Sequence, residues 1–259
     1  MTSRIEKTFR KLKKERKKAF IPYIMSGDPS LEKTKEIVLM FERCGADIVE
    51  LGVPFTDPLA DGPTIQRASE RALKKGVTLR RVIAFVKDVR EITRIPIVLM
   101  TYYNPVFKYG EEYFVTDAKE AAIDGVIIPD LPPDEADSFI RVSKKVGLDT
   151  IFLLAPTSTP DRIKRVAKAS RGFIYYVSIT GITGGRLLLD GSIEASVEDI
   201  RKHTDKPIAV GFGVSTPEEA AATAKVSDGV IVGSAIVKKL RESSEDVERY
   251  LVSLREAIQ

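Results

Sequence analysis

One cysteine, one histidine and no tryptophan occur in 259 residues, and these shortages prune the chemistry at once. Cys44 alone cannot close an internal disulfide, which suits a reducing compartment. His203 alone nearly excludes a histidine-ligated metal centre, and it falls near the end of a helical stretch, so no metal is expected. No apolar run approaches the roughly 20 residues that a bilayer span requires. The opening MTSRIEKTFRKLKKERKKAF lacks the apolar core of a secretory signal. The expected location is the cytoplasm. With 43% hydrophobic and 30% charged residues, the expected class is an ordinary globular enzyme.

The net charge of +4 is unevenly spread: residues 1–18 hold nine Lys/Arg against two Glu, which leaves −3 for the rest. A basic tract can meet nucleic acid or an anionic surface. Ile5, Phe9 and Leu12, however, recur at helical spacing and predict an amphipathic helix packed on the body. The body has no basic patch interleaved with aromatics, so neither nucleic acid nor membrane is expected as a partner.

Beyond residue 18 short β-branched runs alternate with longer charged, periodic segments. Strands are predicted at 20–25, 48–51, 97–101, 126–129, 150–154, 173–177, 208–210 and 230–232. Helices are predicted at 31–44, 79–92, 134–146, 159–169, 197–203 and 216–224, with Ser30, Asp134, Thr159 and Ser215 or Thr216 as N-caps. Nearly every strand is apolar throughout, which predicts a parallel sheet covered on its outside. Eight strand-helix units in this length predict an α/β fold, a single-domain (β/α)8 TIM barrel over residues 1–259 with an extra N-terminal helix.

In such barrels the chemistry sits at the C-terminal ends of the strands. The second strand runs into VELGVPFTDPLADGPTIQ, residues 49–66. It ends on Glu50, and three prolines stiffen the loop that carries Asp61. A carboxylate among apolar side chains has its pKa raised and can donate a proton near neutrality, whereas Asp61 in a polar loop is expected to stay ionised. The structural alternatives are a salt bridge at the barrel mouth for Glu50 and an Asx turn onto Gly62 for Asp61. Asp130, before LPPDE, reads as a loop or helix-entry residue. The last two strands run into GFG (211–213) and GS (233–234), where bare backbone N–H groups can approach a phosphate, or where glycine serves only a tight turn. SITGITGGR, residues 178–186, reads as a lid. The absence of a lysine at any of these strand ends argues against Schiff-base chemistry.

FIPYIMSGDP, ELGVPFTDPLADGPTIQ, TYYNPVF, TGITGGR and the GFG…GS pair, in this order along essentially the whole chain, resemble the tryptophan synthase alpha subunit family. Thr56 stands where the family commonly has serine, and Tyr23 where it often has phenylalanine. The resemblance implies a lyase of tryptophan biosynthesis that cleaves indole-3-glycerol phosphate to indole and glyceraldehyde 3-phosphate. It implies Glu50 and Asp61 as catalytic groups, and Tyr23, Leu99, Tyr102, Ile127, Tyr175, Thr183 and Phe212, with Ile231 or Val232, around the substrate. Gly184, Gly211, Gly213, Gly233 and Ser234 would hold its phosphate. It also implies a beta subunit partner in an αββα complex, with pyridoxal phosphate in that partner and no cofactor in this chain. The rivals are a stand-alone lyase that releases free indole, an indole-glycerol-phosphate synthase, and a silent barrel that only activates a beta partner.

Overall fold

The computed structural model describes residues 2–178, 191–211, 213–242 and 244–259. The chain opens with α1 (Arg4–Glu15), β1 (Ala19–Met25), α2 (Leu31–Arg43) and β2 (Val49–Gly52). Two helices follow, α3 (Pro63–Lys74) and α4 (Leu79–Val89), then β3 (Ile97–Met100), α5 (Tyr103–Tyr109), α6 (Glu111–Glu120) and β4 (Gly125–Ile127). The second half holds α7 (Asp137–Val146), β5 (Asp149–Ile151), β6 (Leu153–Leu154), α8 (Pro160–Ala169) and β7 (Ile174–Val177). It ends with α9 (Ser192–Arg201), β8 (Ile208–Gly211), α10 (Pro217–Val226), β9 (Gly229–Val232), α11 (Ser234–Glu242) and α12 (Ser244–Ala257).

All eight strand pairings among the described residues are parallel, and the strand order β5-β4-β3-β2-β1-β9-β8-β7-β6 has β5 and β6 at its two ends. These two are one barrel strand broken at Phe152, so the sheet returns on itself: the predicted (β/α)8 barrel. Parallel strands buried on both faces need helices outside and side chains inside, and the apolar residues divide accordingly. One cluster lies between strands and helices. The other fills the lumen, with Ile21, Ile48, Val98, Ile127, Ile151, Phe173, Tyr175, Ala209 and Ile231. No helix among the described residues is long and apolar enough to cross a membrane.

The predicted N-terminal helix is the plug of that lumen. Ser3 caps α1 by accepting from the Glu6 N–H at 3.1 Å, and the helix stops where Arg16 turns left-handed. Ile5, Phe9 and Leu12 are buried in the lumen cluster, and the Phe9 ring lies 5.7 Å from that of Phe173. Arg4 reaches Asp124 and the Ala122 carbonyl, and Lys18 reaches the Ser227 carbonyl. The basic tract is therefore the wet side of a structural helix.

Ser30 and Thr159 cap α2 and α8 as predicted, and Thr216 forms a full capping box with Glu219 on α10. Asp134 does not cap α7, whose N-cap is Ala136. Its carboxylate is drawn instead to Arg165 at 2.6 Å and Arg162 at 3.4 Å on α8.

Candidate active site

Glu50 faces the lumen from β2, between its register partners Tyr23 on β1 and Val98 on β3. It is 1% exposed, and neither carboxyl oxygen has a hydrogen-bond partner among the described residues. Among the described residues the salt-bridge alternative finds no partner. A carboxylate in that setting loses hydration without compensation and holds its proton instead. Burial, and secondarily the Asp61 charge, push Glu50 up to about 8.

Asp61 closes the loop between β2 and α3 and is half-buried rather than fully solvated. Burial raises it to about 6, an increase the neighbouring Tyr102 hydroxyl partly offsets. The expectation of an ordinary ionised loop carboxylate is corrected to that extent. An Asx turn does not account for Asp61: its backbone carbonyl, not its carboxylate, takes the local hydrogen bond, from Gln66 Nε2 at 2.8 Å.

The stiffness of the loop has more sources than its prolines. Ser69 Oγ on α3 accepts from the Phe55 N–H at 2.9 Å and donates to the Phe55 carbonyl at 3.0 Å. The Tyr102 hydroxyl accepts from the Ala60 N–H at 3.0 Å, and its ring packs 5.2 Å from that of Phe55. Tyr102 thus ties the end of β3 to the Asp61 loop. Ser69 was not singled out in the sequence, and nothing in its local pattern marks it. Asp130 accepts from the Tyr103 N–H at 2.8 Å, the entry of the neighbouring helix α5.

Ile127, Tyr175 and Ile231 are buried in the lumen cluster, and Tyr23, grouped by its contacts with the larger cluster, is buried on the Glu50 face of its strand, near Glu50, Asp61 and Tyr175. Leu99 is not placed there. It pairs with Leu51 and packs in the layer between strands and helices, while Met100, paired with Gly52 and Ile127, contacts the lumen cluster. Val232 likewise belongs to the outer layer, so Ile231 is the inward residue of β9. The phase follows from the pairing of Val98 with Glu50, a signal available only once the register is known.

The glycines separate into two kinds. Gly211 is buried at the end of β8, and a Cβ there would stand 2.5 Å from the Tyr175 hydroxyl, so its bare Cα seats that ring. Gly213 takes φ +81 in the following turn, a conformation that favours glycine. Gly233 starts α11, accepting from the Val237 N–H at 3.0 Å, and Ser234 is exposed in the first turn. Because β8 and β9 are neighbours, the loops after them lie side by side, with the free N–H groups of α11 at the mouth. Thr183, Gly184, Phe212 and most of the expected lid lie outside the described residues. The described residues hold no group of three His, Cys, Asp or Glu placed to bind a metal.

A buried carboxyl of high proton affinity and a half-buried one of lower affinity thus share a barrel mouth with the start of α11. Comparison with known proteins agrees with that architecture. The sequence matches the family described as tryptophan synthase alpha chain over residues 9–259. It is 52% identical to the tryptophan synthase alpha chain of Geotalea daltonii over 241 residues, covering 93% of this chain and 91% of the relative. With that of Geobacter sulfurreducens the identity is 49% over 261 residues, covering 99% of both. Among solved structures, tryptophan synthase subunit alpha from Legionella pneumophila superposes with a TM-score of 0.92 at 40% identity, over 100% of this chain and 99% of that one. The aminoacrylate-bound tryptophan synthase of M. tuberculosis gives 0.91 at 36% identity, over 100% of both. By sequence along its length and by fold, the chain belongs to the tryptophan synthase alpha chain family.

Proposed function

We propose that Glu50 and Asp61 divide the acid–base work of this family's lyase reaction, the cleavage of indole-3-glycerol phosphate to indole and glyceraldehyde 3-phosphate. The observation that carries this reading is the fully buried, unpartnered Glu50 carboxyl beside a second carboxyl of lower proton affinity. Indole C3 is a poor carbanion, so direct cleavage of the carbon–carbon bond is slow. Protonated Glu50 gives its proton to C3, which converts the ring to an indoleninium cation. Glu50, now a carboxylate, takes the proton from the glycerol hydroxyl beside the bond that breaks. The bond pair returns to the ring, the hydroxyl carbon becomes the aldehyde, and Glu50 is again protonated. Asp61, ionised near pH 7, accepts the indole N–H and stabilises the cation. Each such role is typically worth roughly 10²- to 10⁴-fold.

The phosphate is held at the start of α11 by Gly233 and Ser234, with Gly213 beside them. The apolar walls Met100, Ile127 and Ile231 receive the indole. Pyridoxal phosphate belongs to the beta chain, and this chain needs no cofactor. Leu59, 92% exposed in the Asp61 loop, and Phe107, 67% exposed on α5, fit the face that meets the beta subunit. We assign the cytoplasm as location; the single, buried, free Cys44 is compatible with it.

The test is indole release from indole-3-glycerol phosphate by the purified chain, with and without a beta subunit. Slow release that the beta subunit accelerates supports the reading, and Phe107→Ala should weaken that acceleration while leaving release by the isolated chain within about twofold. Fast release indifferent to the beta subunit favours the stand-alone lyase. No release under either condition refutes the assignment.

A further inference from the structure

The two carboxyls share one mouth, yet Glu50 is sealed and Asp61 is not. The difference lies in what covers them. Tyr23 is the register partner of Glu50 on the neighbouring strand, so both side chains enter the lumen at one level. The Tyr23 ring does not stop there. It leans across β2 toward the mouth and lies on Gly52, two residues beyond Glu50 and on the same face. A Cβ built on Gly52 would stand 2.1 Å from the Tyr23 hydroxyl oxygen, 2.7 Å from Cζ and 3.0 Å from Cε2. The other edge of the ring meets Gly233, whose Cβ would stand 3.4 Å from Cδ1. Gly52 has no left-handed φ, so backbone conformation does not demand glycine there. Space alone demands it.

We propose that Gly52 and Tyr23 act as one unit that keeps water from Glu50, the glycine by giving the ring a bare Cα to lie over. Tyr23 is then a positioning residue that acts through its ring, and Gly52 fixes where the ring lies. The inference rests on the reading of Glu50 as the proton donor. The groups that bear on Glu50 are Tyr23 from β1, Asp61 from the loop after β2 and Tyr175 from β7, with Tyr102 from the end of β3 bearing on Asp61. Of these only Asp61 carries charge near neutrality, and it is the lesser cause of the high proton affinity of Glu50; loss of hydration is the greater. A ring that excludes water is therefore the more powerful lever.

The experiment follows the Glu50 carboxyl directly, by its ¹³C signal in glutamate-labelled full-length chain without substrate, identified by its loss in Glu50→Gln. Wild type, Tyr23→Phe, Gly52→Ala and Tyr23→Ala are titrated, and the pH dependence of kcat is recorded beside them. Tyr23→Phe should titrate with wild type, because the ring remains. Gly52→Ala, which displaces the ring, should titrate at least one pH unit lower, and the alkaline limb of kcat should move with it, about a tenfold loss of rate above the midpoint. If Gly52→Ala does not fold, Tyr23→Ala, which removes the ring and adds nothing, should show the same shift. Unchanged Glu50 titration in the folded ring-displaced variant overturns the proposal, as does a Tyr23→Phe shift of equal size, which would place the effect in the hydroxyl. A shifted titration with an unmoved kcat limb leaves the water seal standing and refutes instead the role of Glu50 as acid.

Discussion

Glu50→Gln should lower indole release by at least about 100-fold and, over the same samples, make the protein progressively more resistant to unfolding than wild type as the pH rises. The two effects have one cause. In the unfolded chain Glu50 titrates near its ordinary 4.5, whereas in the folded chain burial holds it near 8. Between those values the folded state keeps a proton that the unfolded state releases. The stability associated with Glu50 is thus fully present below about pH 4.5 and declines as pH rises toward 8, by about 1.4 kcal/mol per unit. Glutamine has no proton to lose, so the variant escapes the decline and gains on the order of 4 kcal/mol on wild type between pH 5 and pH 8. Its own buried amide adds a pH-independent offset, so the informative quantity is the slope of the difference. Urea midpoints at four pH values measure it. A difference that stays flat from pH 5 to 8 would show that Glu50 ionises normally in the folded state.

Asp124→Ala should be among the most destabilising single changes in the chain, at about 3–5 kcal/mol. Asp124 is buried at the base of the barrel, where one carboxylate accepts from Arg90 Nη2 at 2.7 Å, from Arg4 Nε at 2.5 Å and from the Ile97 N–H at 2.9 Å. Arg90 is equally buried, and its other donors already serve the Ala122 and Ile95 carbonyls. Without Asp124 the buried Arg90 guanidinium loses its ion-pair partner and keeps only the weaker influence of Glu42, a larger loss than the net worth of the pair. The control is Arg165→Ala at the exposed Asp134 pair, expected to cost less than about 1 kcal/mol. Denaturant unfolding compares them, and equal costs for the two variants would mean that burial does not set the value of these contacts.

All eight strand positions were legible because nearly every strand is apolar on both faces and bounded by helical periodicity. That same apolarity hid which face was which. Nothing in IVLM tells whether Leu99 or Met100 looks inward, since no polar residue sets the phase; only the register against Glu50 decides. Helices α3 and α5 went unread for local reasons. The first starts at Pro63 after a Gly62 that makes no side-chain cap, and the second is seven residues long and rich in aromatics. Asp134 sits where an N-cap belongs, and the sequence cannot show two arginines arriving from α8. Glu50 and Asp61 could be read as a pair because of their place in the loop signature. Their different depths could not, because depth comes from Tyr23 on β1 and Tyr102 just beyond β3.

The plug at the base of the barrel also has a history within each newly made molecule. Helix α1 is synthesised before the strands it packs on, and the floor it seals includes Phe173, Ala209 and Ile231. At the usual pace of translation those residues appear about 10–40 s after the helix. Throughout that interval Ile5, Phe9 and Leu12 have no seat, in a chain crowded with other nascent polypeptides. Nine cations beside those apolar residues are the pattern that keeps an unseated amphipathic helix in water, a use of charge that calls for no ligand.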